Sequence, residues 1–236
     1  KGFEALLNVV PVQTPSFAWK ANLTYSTNKN NLVSLSNDKF QTTNDFFYDG
    51  YTGEPIQTET HIVKIGGPIG NFYGLKSVDI TDDGIWIIEK PDGTTIPATE
   101  SSTDDRQVLG NGVPKHYLSW NNTFQYKNFD LNINMRGAFS YQILNFSRMF
   151  YENPTIDYNT LNSAFDKVYG KAVLKDDQRY VSYYIEDGDY WKIDNITLGY
   201  SPKLRNKQVI KNLRFYVSGL NLFTFTGYKG IDPEVR

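Results

Sequence analysis

The chain of 236 residues has no cysteine, two methionines and two histidines. Without cysteine there can be no disulfide and no thiolate metal site. The histidines, His61 and His116, are far apart in sequence, and each reads as an ordinary polar histidine rather than a ligand or a catalytic base. Neither sign of charge dominates. The 24 Lys and Arg against 26 Asp and Glu give a net charge of -2, which offers no field for a nucleic acid. No run approaches 18 apolar residues, so there is no transmembrane helix, and no signal peptide opens the sequence at Lys1. The phosphate loop, the nucleophile elbow and zinc-ligand spacing are all missing. The mean hydropathy of -0.49 is low. That value does not argue against a membrane barrel, whose strands alternate lipid-facing and lumen-facing residues.

Aromatic residues are plentiful, at 15% of the chain, and many fall on alternating stretches. Phe3, Ala5, Leu7 and Val9 share one strand face, as do Phe17, Trp19, Ala21, Leu23 and Tyr25. Pro11–Ser16 reads as the short turn between them. A second hairpin places Leu118, Trp120, Asn122, Phe124 and Tyr126 on one face. Lys127-Asn128 forms its turn, with Asn128 suited to a positive φ. Phe129, Leu131, Ile133 and Met135 then alternate against Asp130, Asn132, Asn134 and Arg136. Trp191–Tyr200 is a strand whose apolar phase shifts between Ile193 and Ile196, which predicts a bulge near Asp194. Leu213–Phe225 predicts one long strand with its odd positions mainly apolar.

Between these strands lie long polar stretches. Asn28–Thr60 and Ala98–Pro114 read as loops. His61–Tyr73 holds a short strand broken by glycines, and Ile85–Ile96 a small hairpin around Pro91-Asp92-Gly93. Phe139–Asp189 is a second excursion. In it Leu161, Ala164, Phe165 and Val168 fall at helical spacing, which predicts one short helix near Asn159–Lys171. Short turns thus alternate with long loops, as in an outer-membrane barrel. Asp79, Asp82 and Asp83 before Gly84 read as turn acids, not a calcium loop. Glu186, Asp187 and Asp189 read as solvated acids, not a glycosidase pair. The basic turn of Lys203, Arg205, Lys207 and Lys211 reads as solvated, with an anionic surface as the second reading.

The run E-D-G-D-Y-W-K-I-D-N-I-T-L-G-Y from Glu186, with L-R-F-Y-V-S-G-L-N-L-F-T-F-T-G-Y-K-G-I-D-P-E-V up to Val235, resembles the C-terminal end of the SusC/RagA family of TonB-dependent transporters. Y-K-N-F-D-L (Tyr126–Leu131), D-D-R-Q-V-L-G-N-G-V-P (Asp104–Pro114), P-I-G-N-F-Y-G (Pro68–Gly74) and G-F-E-A-L-L-N (Gly2–Asn8) extend the resemblance over nearly the whole chain, in order.

The resemblance implies an all-β fold: an antiparallel transmembrane β-barrel segment, the C-terminal third of a barrel of about 22 strands, with long extracellular loops and one short loop helix. On this reading residues 1–236 are the C-terminal portion of the barrel domain, and the plug domain and the final strand lie outside the chain. The implied function is import of large nutrients across the outer membrane, oligosaccharides first and peptides second. The implied partners are a SusD-like lipoprotein, the remainder of the same barrel, outer-membrane lipid, and TonB through the N-terminal part. No nucleic acid, cofactor, metal or catalysed reaction is implied. Trp86, Tyr183, Tyr184, Tyr190 and Trp191, in or beside the long stretches, are the residues expected to contact substrate or lipoprotein. Two other readings stay open from the residues: a soluble β carbohydrate-binding module or glycosidase fragment, and a scaffold subunit of an outer-membrane complex.

Overall fold

A computed structural model of the protein describes residues 1–204 and 210–234. In chain order the strands are β1 (Gly2–Gln13), β2 (Phe17–Asn28), β3 (Phe46–Tyr51), β4 (Glu59–Lys64), β5 (Asn71–Gly74), β6 (Lys76–Ile80), β7 (Trp86–Glu89), β8 (Thr95–Pro97), β9 (Gln107–Asn111), β10 (His116–Tyr126) and β11 (Phe129–Phe139). The second half holds β12 (Gln142–Leu144), the helix α1 (Phe146–Tyr151), β13 (Lys167–Val168), β14 (Ala172–Val173), β15 (Ile185–Asp187), β16 (Tyr190–Tyr200) and β17 (Phe215–Thr226). The elements fall into two units.

The first unit, Lys1–Lys29, Pro114–Ser140 and Asp189–Gly227, is one antiparallel sheet in the order β1-β2-β10-β11-β16-β17. Its strands have 11 or 12 residues. At about 3.3 Å each that is about 36–40 Å, more than a tilted bilayer crossing needs. The first hairpin is longer than its prolines suggest. Pro11 lies inside β1, at the register shift between Val9 and Val12, where its missing N–H interrupts no ladder bond. The turn itself is closed by the Thr14 amide donating to the Phe17 carbonyl at 2.7 Å. In the second hairpin the left-handed residue is Lys127, at φ 52°, and not Asn128.

The expected bulge is present. Asn134 pairs with Asn195 and Met135 with Ile193, which leaves Asp194 without a partner in the ladder. Across β17 the irregularity is larger, because Ile193 pairs with Phe223 and Asn195 with Leu220. Asn221 takes a φ of 51° there. The odd–even division of this last strand therefore changes phase at Asn221, and its apolar face is not simply the odd positions. Of the basic connection before β17, Arg205 and Lys207 lie outside the described residues.

The second unit comprises Asn30–Val113, Tyr141–Gly188 and the C-terminal segment from Tyr228. It contains a four-stranded sheet, β3-β4-β5-β9, a three-stranded sheet, β6-β7-β8, and the strand pairs β12-β15 and β13-β14. The stretches expected as plain loops thus hold β3 and β9. The unit encloses its own core, in which Trp86, Ile80, Ile88, Met149, Leu174, Val181 and Tyr184 are buried. Gly84 is needed where two segments meet. Its φ is 86°, a Cβ there would lie 2.4 Å from the Val173 carbonyl, and its own carbonyl accepts from the Lys175 amide at 2.8 Å.

The helix is not where spacing alone places it. Within Asn159–Lys171 the chain makes one 3-10 turn, Asn162–Phe165, and then the tight β13-β14 pair. Tyr169 and Gly170 both take positive φ there, which ends any helix. Ala164 and Val168 are buried without one, while Phe165 points outward at 64% exposure. The short helix is α1 instead. The Asn145 side chain caps it, accepting from the Arg148 amide at 3.0 Å, and Phe146 stacks on Phe150 one turn on. Asn153-Pro154 bars its continuation.

Burial predicts the energetics. Replacing Trp86 by alanine should destabilise the second unit by about 3–5 kcal/mol. Phe165→Ala should cost within about 0.5 kcal/mol. Urea unfolding of the full protein, followed by protease cleavage within residues 141–188, measures both. Equal costs would contradict the core assignment.

Candidate transport surfaces

The register of the six-stranded sheet decides which side chains share a face, because paired residues point the same way. One face is built from apolar rows. Leu7, Leu23, Trp120, Met135, Ile193 and Phe223 form one row across all six strands. Val12, Trp19, Phe124, Leu131, Leu198 and Val217 form another. At the short-turn end Phe17, Tyr126, Phe129, Tyr200 and Phe215 make an all-aromatic row. At the opposite end Tyr25, Trp191 and Phe225 share a row with Leu118 and Gly137. An apolar band bounded by aromatic rows is what the outer wall of a membrane barrel presents. The one amide in the band, Asn122, is buried, and its Oδ1 accepts from the Trp19 indole at 3.0 Å.

The other face is mostly polar through its middle, with Leu6 and Leu220 also on it. Asn8, Asn22, Asn121, Asn134 and Asn195 form a row of five asparagines on adjacent strands. The Asn22 amide donates to Asn8. The neighbouring row is Lys20, Thr123, Asn132, Thr197 and Ser218. Thr123 donates to Asn132 at 2.9 Å and Thr197 to Asn195 at 2.9 Å. The bulge has a use here: Asp194, free of the ladder, pairs with Arg136 on β11 at 3.2 Å. Such a face suits a wet, hydrogen-bonding interior and not hydrocarbon.

The second unit is organised around a buried cation. Arg148 sits on α1, held by Glu152 at 2.6 Å and by Glu186. Burial works against its charge, but hydrogen bonds to Glu186 and Glu152 outweigh it and raise the guanidinium pKa above its ordinary value. Its guanidinium also lies 4.9 Å from the Tyr183 ring centre and 5.9 Å from that of Tyr184. Glu186 additionally accepts from Asn145 at 3.2 Å and from the Lys229 amide at 2.8 Å. It is therefore not a solvated acid. Asp79 is an ion-pair partner of Lys171, on the β6 strand rather than in a turn.

Of the five aromatic residues singled out from the sequence, Trp86, Tyr183 and Tyr184 come together in the second unit, while Tyr190 and Trp191 lie on β16. Trp86 is fully buried, 5.1 Å from Tyr183 and 6.0 Å from Tyr184. Tyr184 is 2% exposed. Neither has an open ring face, so the contact role expected of both is corrected to a core role. Burial pushes the phenol pKa values of Tyr183 and Tyr184 upward. Tyr190 is buried on the polar face of β16, within 3.5 Å of Arg136. Trp191 lies on the apolar face beside Phe225. Only Tyr183, half-buried, keeps some ring surface within the second unit. The exposed aromatics of that unit's second excursion are Phe146, Tyr151, Tyr158, Phe165 and Tyr169. Arg148 was missed because its partner Glu186 is 38 residues away in sequence.

No protein-family model matches the chain. Among curated proteins it is 31% identical, over its whole length, to TonB-dependent receptor P3 of Formosa agariphila. It is 25% identical, again over its whole length, to TonB-dependent receptor SusC of Bacteroides thetaiotaomicron. The chain spans about a quarter of the length of these relatives. Among solved structures it shares the fold of part of the RagAB peptide transporter. The TM-score is 0.79 at 18% identity, over 98% of this chain and 26% of that one.

The two faces predict different tolerance to charge. Leu23→Arg, in the middle of the apolar band, should cost about 2–4 kcal/mol of barrel stability, and Asn132→Arg, on the polar face, less than 1 kcal/mol or so. Unfolding of the full barrel from lipid measures both, and equal costs would reverse the assignment of faces.

Proposed function

We propose that this chain, which matches SusC- and RagA-type TonB-dependent receptors along its whole length, forms part of the wall and outer loops of an outer-membrane importer of large nutrients. The observation that carries the reading is the register of the six-stranded sheet, with its apolar band between aromatic rows and its asparagine and threonine face behind. In this reading β1 and β17, whose outer edges have no strand partner among the described residues, pair with further strands of the same barrel. The rest of the receptor supplies the plug and the contact to TonB. The chain binds and passes a substrate and catalyses no reaction.

Oligosaccharides are the first substrate class, supported by the likeness to SusC and by the polar, amide-rich face. Peptides are the second reading, supported by the fold shared with a peptide transporter. A SusD-like lipoprotein is the proposed partner on the outer side. Tyr151, Tyr158 and Phe165, exposed in one excursion, together with the partly open Tyr183, suit such a contact, because aromatic side chains carry most of the energy in protein interfaces. A scaffold role would replace substrate by other membrane partners, and a soluble β module would leave the apolar band in water.

Strand parity gives a topological test. The turns at residues 14–16 and 127–128 leave one end of the sheet, and the two long excursions leave the other. A cysteine at Asn128 should resist an impermeant thiol reagent added to whole cells, while one at Ser102 should react. The opposite pattern would overturn the orientation. The partner is tested by point substitution, since deleting residues 153–177 would remove Ala164, Val168 and Leu174 from the core. Tyr151→Ser, Tyr158→Ser and Phe165→Ser together should leave the barrel folded and lower both lipoprotein co-purification and growth on the imported nutrient by about tenfold. Unchanged co-purification and growth would remove this surface from the proposal.

A further inference from the structure

One cavity in the second unit, of about 390 Å³, has a lining that the import reading does not use. Arg106 and Arg179 line it, with Thr58, Thr103, Gln178 and the apolar Leu75, and no aspartate or glutamate lines it. The whole chain is slightly acidic, so two guanidinium groups without an acid in one pocket do not reflect a generally basic surface. Arg179 is already matched, its Nε donating to Asp176 at 3.1 Å. Arg106 is not, since no carboxylate among the described residues lies within ion-pair distance of it.

Arg106 is also held still. One terminal nitrogen donates to the Tyr73 carbonyl at 2.9 Å and to the Glu59 carbonyl. Its guanidinium lies 5.1 Å from the Tyr73 ring centre and 5.4 Å from that of Tyr48. A guanidinium carries five N–H donors, and the remaining three find no acceptor among the described residues. A side chain fixed in this way loses little freedom on meeting an anion, and its hydrogen bonds to a carboxylate are charge-assisted. Thr58 and Thr103 add neutral polar side chains to the lining, while the Gln178 amide is already engaged by the Phe150 carbonyl and the Tyr158 hydroxyl. No open aromatic face lines the pocket, because Tyr180 is 4% exposed and its hydroxyl is given to the Thr60 carbonyl at 3.0 Å. The volume is that of a small ligand or of one unit of a larger one.

We propose that this pocket binds the carboxylate of an acidic sugar residue, with Arg106 as its counterion and the surrounding threonine hydroxyls on the sugar hydroxyls. The inference deepens the import reading by naming an acidic oligosaccharide as the ligand class.

The test is equilibrium binding to the full receptor in detergent, with a galacturonate disaccharide, the neutral galactose disaccharide and a glutamyl-glutamate dipeptide as probes. The acidic disaccharide should bind at least about tenfold more tightly than the neutral one, the usual worth of a hydrogen bond to a charged group. Arg106→Gln should remove that preference. Because Arg106 also ties two strands together, a second variant guards against loss of fold: Thr103→Glu, at an exposed position, places a carboxylate in the pocket and should lower binding by a similar factor. Failure of the wild-type receptor to bind the acidic disaccharide, equal binding of acidic and neutral probes, or full binding by Thr103→Glu would each overturn the proposal. Tighter binding of the dipeptide than of the acidic sugar would overturn it in favour of acidic peptides. Binding that persists in a receptor unable to support uptake would count against the import reading and leave the pocket in place. Uptake of a neutral glycan without binding of the acidic probe would do the reverse.

Discussion

A strand in hydrocarbon has no water to satisfy its backbone, so every N–H and C=O must be met by a neighbouring strand. That constraint orders the six-stranded sheet. It demands a continuous ladder, and the ladder fixes the register. With register fixed, the side-chain alternation of each strand adds up across the sheet instead of cancelling. Leu23 therefore meets Leu7 and Trp120, and Asn22 meets Asn8 and Asn121. The rows of aromatics and of asparagines are consequences of one set of pairings. The bulge at Asp194 is one place where the ladder yields, and it lets one carboxylate reach Arg136 on the polar face.

The second unit obeys a different rule. Its strands are short and cannot make a wall, so it closes around side chains. Trp86 fills the centre, and Arg148 ties α1 to Glu186 beside β12 through a pair of carboxylates. A guanidinium removed from water is tolerated only because both acids and two tyrosine rings surround it. Removing either acid would leave a buried charge short of a partner. The result is a folded body, not a tangle of loops, and it carries Tyr151, Tyr158 and Phe165 outward on a fixed frame.

Much of the sheet was legible in the sequence because its strands are long enough for alternation to repeat five or six times. The β10-β11 hairpin and the bulge near Asp194 both followed from phase alone. Asn221 escaped because a single left-handed residue shifts the phase without changing the composition around it. In the second unit β13 and β14 have two residues each, too few for any period to show. The spacing of Leu161, Ala164 and Val168 suggested a helix, but burial there is met by one 3-10 turn and a hairpin. The burial of Trp86 and Tyr184 is not legible in the sequence, because a sequence places an aromatic residue in an element and does not say which way a small, irregular unit will turn it. Arg106 and, apart from its i,i+4 pair with Glu152, Arg148 carry little local signal, since what defines them is spatial: carbonyls, rings and Glu186 brought from distant segments.

A sheet that separates lipid from water must show the division along a single strand, and β10 is the strand on which to measure it. Nitroxide labels placed singly at residues 118 to 124 of the full receptor in bilayers report collision with oxygen, which concentrates in lipid, and with a water-soluble nickel complex. Labels at Leu118, Trp120 and Phe124 should favour oxygen, and labels at Ser119, Asn121 and Thr123 should favour nickel or be shielded from both. A loss of the two-residue period, or the same period with the two sets exchanged, would contradict the account.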